Sequence, residues 1–169
     1  TFLTFGIYHG LNRNYPYMIG LGEPGRALDL AGASKLATKY ITLLTLVLAV
    51  IYAARLSLRS PEVLLIVAVW AAIPTFLVYP ISTHYEVLYR TNHDFLRFGW
   101  IQLIGYVLSL VTIVLVFGFG FIGQWIRLIV IALSNCFLRW VWRPLRFTPD
   151  GNWKDVKLLA TVGVPLLVV

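Results

Sequence analysis

Residues 62–81, EVLLIVAVWAAIPTFLVYPI, contain a single charged side chain and decide the fold class. A helical apolar run of this length matches the roughly 30 Å hydrocarbon core of a bilayer. Similar runs cover residues 40–54, 100–117 and 124–141, and the whole chain is 59% hydrophobic and only 12% charged. Soluble domains carry about 25% charged residues. The sequence therefore predicts an all-α fold, a polytopic transmembrane helix bundle with at least four spans.

Shorter elements flank these four spans. Residues 1–9 are interpreted as the end of a further span, and residues 10–25 as a Gly-, Asn- and Pro-rich loop or broken helix. Ser60-Pro61 is a helix-start pair, residues 118–123 form a tight glycine turn, and a last helix is predicted to begin near Lys154. Because the chain begins and stops inside apolar stretches, we expect an internal fragment of a longer, transporter-sized protein.

The basic residues are distributed unequally between the two sides of this predicted bundle. One side carries eleven of the 14 Lys and Arg residues and the other side carries three. The positive-inside rule therefore predicts that the loops at residues 10–39, 82–98 and 142–154 are cytoplasmic. Since these charges lie at the ends of apolar segments, the net charge of +7 does not indicate a nucleic-acid partner. The eleven are Arg13, Arg26, Lys35, Lys39, Arg90, Arg97, Arg139, Arg143, Arg146, Lys154 and Lys157, and the three are Arg55, Arg59 and Arg127.

Polar side chains align on one face of three of the predicted spans. Such stripes either line a polar cavity or serve as contacts between packed helices, and both readings stay open. Arg127 either points into a cavity or extends to the outer interface. The stripes comprise Ser34, Thr38, Thr42, Thr45 and Tyr52; Gln102, Gly105, Tyr106, Ser109 and Thr112; and Gln124, Arg127, Ser134 and Asn135.

The remaining polar residues show no pattern of a catalytic or metal site. Glu86, Arg90 and Asp94 recur at every fourth position, which is typical of a salt-bridged surface helix. His84 and His93 lack a ligand cluster, and the chain has a single cysteine. Without a nucleophilic triad or phosphate-binding loop, we predict no enzyme activity, no metal and no cofactor.

Three segments resemble the polysaccharide flippases of the multidrug, oligosaccharidyl-lipid and polysaccharide exporter superfamily. GLNRNYPY at residues 10–17 with GLGE at 20–23 is similar to the run after that family's second span. EVLYRT at 86–91, with Phe95 and Phe98, resembles the loop after its fourth span. LRWVWRPL at 138–145, followed by Trp153, Lys157 and GVP at 163–165, resembles the junction between its sixth and seventh spans.

The resemblance implies an architecture and a function. Residues 1–153 would be part of the N-terminal lobe of a two-lobe, inverted-V transporter, from the end of span two through span six and the following loop. Residues 154–169 would be the truncated start of span seven. Such a protein flips a polyprenyl-pyrophosphate-linked saccharide repeat unit across a bacterial or archaeal inner membrane by alternating access, for surface polysaccharide biosynthesis such as that of lipopolysaccharide.

The resemblance also implies partners and candidate site residues. The expected partners are a lipid-linked oligosaccharide, membrane lipid and a polysaccharide polymerase. A cavity Arg near the end of span two matters in related lipid flippases, and Arg13 stands at the matching place. The substrate-binding candidates are Arg13, Arg127, Gln102, Tyr106, Ser109 and Asn135, and the cytoplasmic gate candidates are Glu86 and Arg90.

Three other functions stay open. An integral-membrane glycosyl- or acyltransferase would use acidic or His groups such as Glu86, Asp94, His84 and His93. A drug or cation antiporter of the same superfamily would use acidic residues within the spans. A membrane scaffold without transport activity is the third alternative.

Overall fold

The computed structural model describes residues 6–59, 62–145 and 149–164. Within these ranges the chain forms six helices and no strand. The helices are α1 (Ile7–Gly20), α2 (Pro24–Arg59), α3 (Val63–Thr91), α4 (Phe95–Val111), α5 (Val114–Val141) and α6 (Trp153–Gly163). The all-α prediction is confirmed.

Three of these helices, α2, α3 and α5, are long and apolar enough to cross a membrane. They have 36, 29 and 28 residues, and α5 is kinked within that length at Gly120, whose backbone is not helical. The fourth predicted span is α4, which is apolar but has only 17 residues, or about 25 Å at 1.5 Å per residue. By length, the structure therefore supports three spans where the sequence predicted four, with α4 just short of the usual thickness.

Side-chain contacts fix how the long helices run. Contacts between α2 and α3 join Ser34 to His84 at one end and Ser57 to Trp70 at the other, so these two helices are antiparallel. Arg139 near the end of α5 contacts Ser82, so α5 returns to the end of the bundle where α3 finishes. The α1–α2 turn, the α3–α4 turn and the end of α5 therefore lie at one end of the bundle.

The buried core lies at this same end, which we call the packed end. It joins α1, α2, α3 and α6, and its most buried members are Leu11, Leu30, Leu88 and Leu159. The opposite half of the bundle, which we call the apolar end, keeps most of its large hydrophobic side chains exposed. Such a surface is suited to lipid, whose interior is as apolar as the side chains themselves.

Residues 10–20 are helical and a short turn at residues 21–23 separates them from α2, which fits the broken-helix alternative for residues 10–25 and not the loop. Ile7, Leu11 and Tyr15 recur at every fourth position and are all buried, which gives α1 one apolar face against the rest of the core. The helix continues through Pro16, although proline lacks the backbone donor. Burial of this face outweighs the poor helix propensity of the Gly, Asn and Pro residues.

The close fit of α6 against α1 depends on glycine. A Cβ atom at Gly10 would collide with the backbone of Leu159, and one at Gly163 would collide with the backbone of Gly6. Only residues without a side chain allow the two helix backbones to come this near. α6 begins at Trp153, one residue from its predicted start, and Asn152 caps it by accepting a hydrogen bond from the Lys154 N–H at 3.0 Å.

The turn between α4 and α5 differs in part from its prediction. The predicted third span, residues 100–117, is interrupted at Thr112–Ile113, where the α4 helix has ended. The glycine-rich reversal is present: Gly120 has φ 56° and ψ −127°, and Gly123 packs against the backbone of Leu115. Glycine meets this positive φ without the penalty that a side chain would add.

Two of the three predicted cytoplasmic loops are largely helical. Residues 10–39 belong mostly to α1 and α2, and residues 82–98 to the end of α3, a short turn and the start of α4. The turn residue His93 has φ 55°. The third segment, 142–154, is non-helical up to Asn152 in its described part. Ser60-Pro61, Arg146 and Pro165 lie outside the described residues, as does most of the predicted residue 1–9 span.

Candidate functional site: a polar cleft continued by an apolar groove

A polar cleft of about 550 Å³ opens at the packed end, between α2, α3 and the loop that precedes α6. Two lysines one helical turn apart, Lys35 and Lys39, stand on its α2 wall, and both are exposed. Asp150 contributes the one carboxylate among its lining residues. The full lining is Gly32, Lys35, Leu36, Thr38, Lys39, Thr42, Ile81, His84, Tyr85, Pro149, Asp150 and Gly151.

A buried hydrogen-bond network holds the α2 and α3 walls of this cleft together. The Tyr8 hydroxyl donates to the carbonyl oxygen of Pro80 at 2.9 Å and lies 3.0 Å from the Thr38 hydroxyl. The Ser34 hydroxyl lies 3.0 Å from Nδ1 of His84. Because these groups are satisfied inside the bundle, they fix the spacing of α1, α2 and α3 behind the cleft.

The third wall of the cleft is the loop at residues 149–151. Its backbone sits directly on α2, where a Cβ atom at Gly32 would strike the Pro149 carbonyl and one at Gly151 would strike the backbone of Gly32. Tyr40 and Trp153 pack with ring centroids 5.0 Å apart. The buried Asp155 carboxylate accepts from Arg26 at 2.6 Å, which fixes α6 to the start of α2.

An apolar groove of about 540 Å³ lies farther along α2 toward the apolar end. α2 forms one wall, α3 forms the other, and Trp125 of α5 closes one side. Thr45 and the Tyr52 hydroxyl are its only polar side-chain groups besides the Trp125 indole. The lining residues are Thr45, Leu48, Ala49, Tyr52, Leu65, Ala68, Val69, Ala72, Ile73, Phe76 and Trp125.

The polar stripe predicted on the first span connects the cleft and the groove. Thr38 and Thr42 line the polar cleft, and Thr45 and Tyr52 line the apolar groove. These positions advance by three, four or seven residues, so they lie along one side of α2. The stripe also contacts neighbouring helices, since the Ser34 hydroxyl lies 3.0 Å from His84 of α3 and the Thr38 hydroxyl lies 3.0 Å from that of Tyr8 in α1. Both readings of the stripe therefore apply to parts of it.

Arg127 and Ser109, two of the predicted cavity residues, are in contact. The Arg127 guanidinium donates to the Ser109 hydroxyl at 2.7 Å, to the Ser109 carbonyl at 3.2 Å and to Gln124 Oε1 at 3.3 Å. Arg127 thus bridges α4 and α5 near the apolar end through neutral acceptors. It lies outside both the cleft and the groove, as their lining shows.

The other predicted cavity residues on α4 and α5 are spread over different surfaces. Asn135 packs against α4, where a Cβ at Gly105 would lie 2.7 Å from its Oδ1. Gln102 is half-buried, whereas Tyr106 is 67% exposed on the outside of α4. None of these three lines the polar cleft or the apolar groove.

Arg13 lies on the exposed face of α1, away from the lining of the polar cleft. Its neighbour Tyr15 faces inward and donates to Asn92 Oδ1 at 3.0 Å, which joins α1 to the α3–α4 turn. Burial raises the pKa of the Tyr15 phenol, so this hydroxyl stays protonated and remains a donor.

Glu86 and Arg90, the predicted gate pair, form a salt bridge at 2.5 Å on the surface of α3. Glu86 also lies 3.6 Å from a second cation, Arg139. Arg139 is only 7% exposed, donates to the Ser82 carbonyl at 2.6 Å and stands over the Phe98 ring at 5.7 Å. It therefore connects α3, α4 and α5, a role that its assignment as a loop charge did not anticipate.

Sequence reasoning also missed the two cleft lysines as site candidates. Lys35 and Lys39 were explained by topology alone, because the positive-inside rule accounts for any cation at a helix end. The available signal was their position beside Ser34 and Thr38, which places cations and hydroxyls next to each other on α2. His84 appeared isolated in the sequence because its partner is 50 residues away.

In the described part of the chain, no group of three or more His, Cys, Asp and Glu side chains is arranged to hold a metal ion. Comparison with protein-family models, curated proteins and solved structures gives no match.

Proposed function

We propose that this chain is part of an inner-membrane transporter that flips a polyprenyl-pyrophosphate-linked saccharide by alternating access, for surface polysaccharide biosynthesis. The observation that carries the proposal is the end-to-end placement of a cationic polar cleft and an apolar groove along one side of α2. A molecule that filled both would need a polar, anionic head and a long apolar chain. A polyprenyl pyrophosphate carrying a sugar has this composition.

The polar cleft suits the head of such a substrate. Lys35 and Lys39 provide positive charge for phosphate oxygens, and Thr42 adds a hydroxyl to the same wall of the cleft. Asp150, on the loop that packs against α2, would accept hydrogen bonds from sugar hydroxyls. A volume of about 550 Å³ is within the range of small-molecule sites.

The apolar groove suits the tail. Its walls are Leu, Ile, Val, Ala and Phe side chains from two helices that are apolar enough to lie in the membrane. A prenyl chain placed there would remain beside lipid while its head occupied the cleft. In the proposed mechanism this lobe rocks against a second lobe, which would complete the cavity around the head. Arg13, Arg127 and the other residues named from the sequence would act in that complete cavity.

The proposal is tested by removing charge from the cleft in the full-length protein. Lys35→Gln/Lys39→Gln should slow flipping of a fluorescent polyprenyl-pyrophosphate saccharide in proteoliposomes by at least about tenfold, as two charged contacts to phosphate are lost. Arg55→Gln/Arg59→Gln, at the other end of α2, is the matched control and should flip at the normal rate. Normal flipping by the lysine double variant would contradict the assignment of the cleft.

A second test fills the groove. Ala72→Trp places an indole in the groove, whereas Leu64→Trp places one on the exposed surface of the same helix. We expect the first variant to slow flipping and the second to leave it unchanged. Equal rates would remove the groove from the mechanism.

Arg13 is tested separately in cells. Arg13→Ala should block surface polysaccharide assembly while the protein is still expressed, if this residue faces the complete cavity. Normal polymer levels in that variant would remove Arg13 from the site.

A purified protein that transfers the sugar to an acceptor without translocating it would favour the transferase alternative. Of the groups which that alternative would use, His84 is buried beside Ser34.

A further inference from the structure

A second cleft of about 550 Å³ opens at the packed end, between the first turns of α4 and the last residues of α5. Its lining combines two cations with two indole rings: Arg97, Trp100, Val141, Trp142 and Arg143. It shares no lining residue with the polar cleft, which lies between α2, α3 and the 149–151 loop. We name it the Arg–Trp cleft.

Buried contacts hold the two walls of the Arg–Trp cleft at a fixed spacing. Tyr89 of α3, which is fully buried, donates to the carbonyl oxygen of Trp142 at 2.7 Å and so fixes the end of α5. Its ring packs against Phe98 of α4 with centroids 5.8 Å apart. The Arg139 guanidinium lies 5.7 Å from the centroid of the same Phe98 ring. Rings packed in this way resist separation of the helices they join.

The charge of the cleft favours an anion. Arg97 and Arg143 are cationic, and the one carboxylate that pairs with them in the described residues is Asp94, 3.4 Å from Arg97. This pair is an exposed contact one turn apart on α4, so it leaves the guanidinium able to bind a second anion. With Asp94 counted, the three groups carry a net charge of +1.

The tryptophans indicate where this cleft lies relative to the bilayer. Trp100 and Trp142 are both exposed, and they stand at the start of one apolar helix and the end of another. Indole rings at such positions favour the headgroup level of a membrane, where one edge meets water and the ring meets acyl chains. Cationic clefts between membrane helices at this level bind the phosphates of anionic lipids.

We propose that the Arg–Trp cleft binds the headgroup phosphate of an anionic phospholipid, with Arg97 and Arg143 as the phosphate contacts and Trp100 and Trp142 beside the glycerol and first acyl carbons. A lipid bound here bridges α4 and α5. Of the four helices that match the predicted spans, α4 is the shortest. The proposal requires that the protein lies in a membrane, but it does not depend on what the protein transports.

The test uses the purified protein in detergent with phosphatidylglycerol as the probe. Phosphatidylglycerol should raise the thermal unfolding temperature more than phosphatidylcholine does at equal concentration, and glycerol phosphate without acyl chains should have no effect. Arg97→Gln/Arg143→Gln should weaken phosphatidylglycerol binding on the order of 10- to 30-fold, since each cation near the surface contributes about a factor of five. The control Arg55→Gln/Arg59→Gln, which removes the same charge at the apolar end, should bind normally.

Two further measurements keep the outcome decisive if the glutamine variant folds poorly. Arg97→Lys/Arg143→Lys keeps the charge and should retain most of the binding. Native mass spectrometry of the unmodified protein should show phosphatidylglycerol adducts that survive higher collision energy than phosphatidylcholine adducts. Equal survival of the two lipids, equal stabilisation by them, or equal loss of binding in the Arg97/Arg143 and Arg55/Arg59 variants would overturn the proposal. Stabilisation by glycerol phosphate alone would replace the lipid with a soluble phosphate ligand.

Discussion

The two ends of this bundle are built by different physical means. At the packed end, side chains from α1, α2, α3 and α6 form a core that is closed to solvent, and hydrogen bonds and ion pairs join helices far apart in sequence. At the apolar end, α2, α3 and α5 keep large hydrophobic side chains on their outer surfaces. The packed end holds its shape through its own contacts, whereas the apolar end needs a surrounding apolar medium.

The difference between the two ends determines where the bundle can bind a ligand specifically. The clefts with charge lie at the packed end, where fixed backbones can hold a cation in place against its neighbours. The apolar groove lies in the other half, where a ligand chain would contact only hydrophobic walls. In the proposed transport function, the region that binds the headgroup would therefore differ in packing from the region that accommodates the chain.

Shortening one leucine at each end of α2 should give the largest difference in stability between the two ends of the bundle. Leu30 is fully buried at the packed end, and Leu48 is 51% exposed at the apolar end. Leu30→Ala should lower the free energy of unfolding by about 3 kcal/mol because it leaves a cavity. Leu48→Ala should change it by less than about 0.5 kcal/mol. Thermal or denaturant unfolding of the purified protein in detergent measures both, and equal losses would show that the two ends are equally packed.

Glycine substitutions give the next largest difference. Gly10→Ala should destabilise the protein by about 2 kcal/mol, since the added methyl group would strike the Leu159 backbone and separate α1 from α6. Gly118, at the apolar end, has open space around it, so Gly118→Ala should be close to neutral. The same unfolding measurement applies, and a neutral Gly10→Ala variant would contradict the close approach of the two helices.

Two arginines on α5 offer a matched pair of charges. Arg139→Met removes a buried cation and leaves the Ser82 carbonyl without its donor, at a cost of about 2 kcal/mol. Arg127→Met removes a half-buried cation whose partners are neutral, at a cost below about 1 kcal/mol. A larger loss for Arg127→Met than for Arg139→Met would place the stronger network at the apolar end.

The smallest predicted effect concerns the Arg26–Asp155 ion pair, which joins α6 to the start of α2. Arg26→Gln should cost about 1 kcal/mol, a modest value because Arg26 is itself 42% exposed, although the Asp155 side chain is only 9% exposed. Asp29→Asn removes the other carboxylate near Arg26, at 4.0 Å and exposed, and should be neutral. Added salt should reduce the difference between these variants, which unfolding at low and high ionic strength would reveal.

The long spans were predictable because apolar length alone specifies a membrane helix. The predicted span at 62–81 lies inside α3 except for its first residue, the span at 124–141 lies inside α5, and the start of α6 was found to within one residue. For α1 the sequence left a loop and a broken helix open, because its helicity comes from tertiary burial of Ile7, Leu11 and Tyr15 and not from local composition. Hydropathy also placed the end of the third span beyond Thr112, because Thr112 is the one polar residue in the turn that ends α4.

The polar cleft could be predicted only in part. Its α2 wall was visible as the stripe through Ser34, Thr38 and Thr42, but its other walls come from residues about 40 to 120 positions away. No local pattern connects Gly32 to Gly151, since their contact is between backbones and carries no side-chain signature. Lys35 was explained by the positive-inside rule alone. Because that rule already accounts for a cation at a helix end, the sequence offered no reason to place Lys35 in a cleft.

The contact between Gly32 and Gly151 also bears on how the protein is made. The two glycines are separated by 119 residues, which a ribosome adds in roughly 6 to 24 s at 5 to 20 residues per second. Throughout that interval the face of α2 around Gly32 lacks the loop that covers it in the folded chain. The polar cleft is therefore closed only after residues 149–151 have been synthesised.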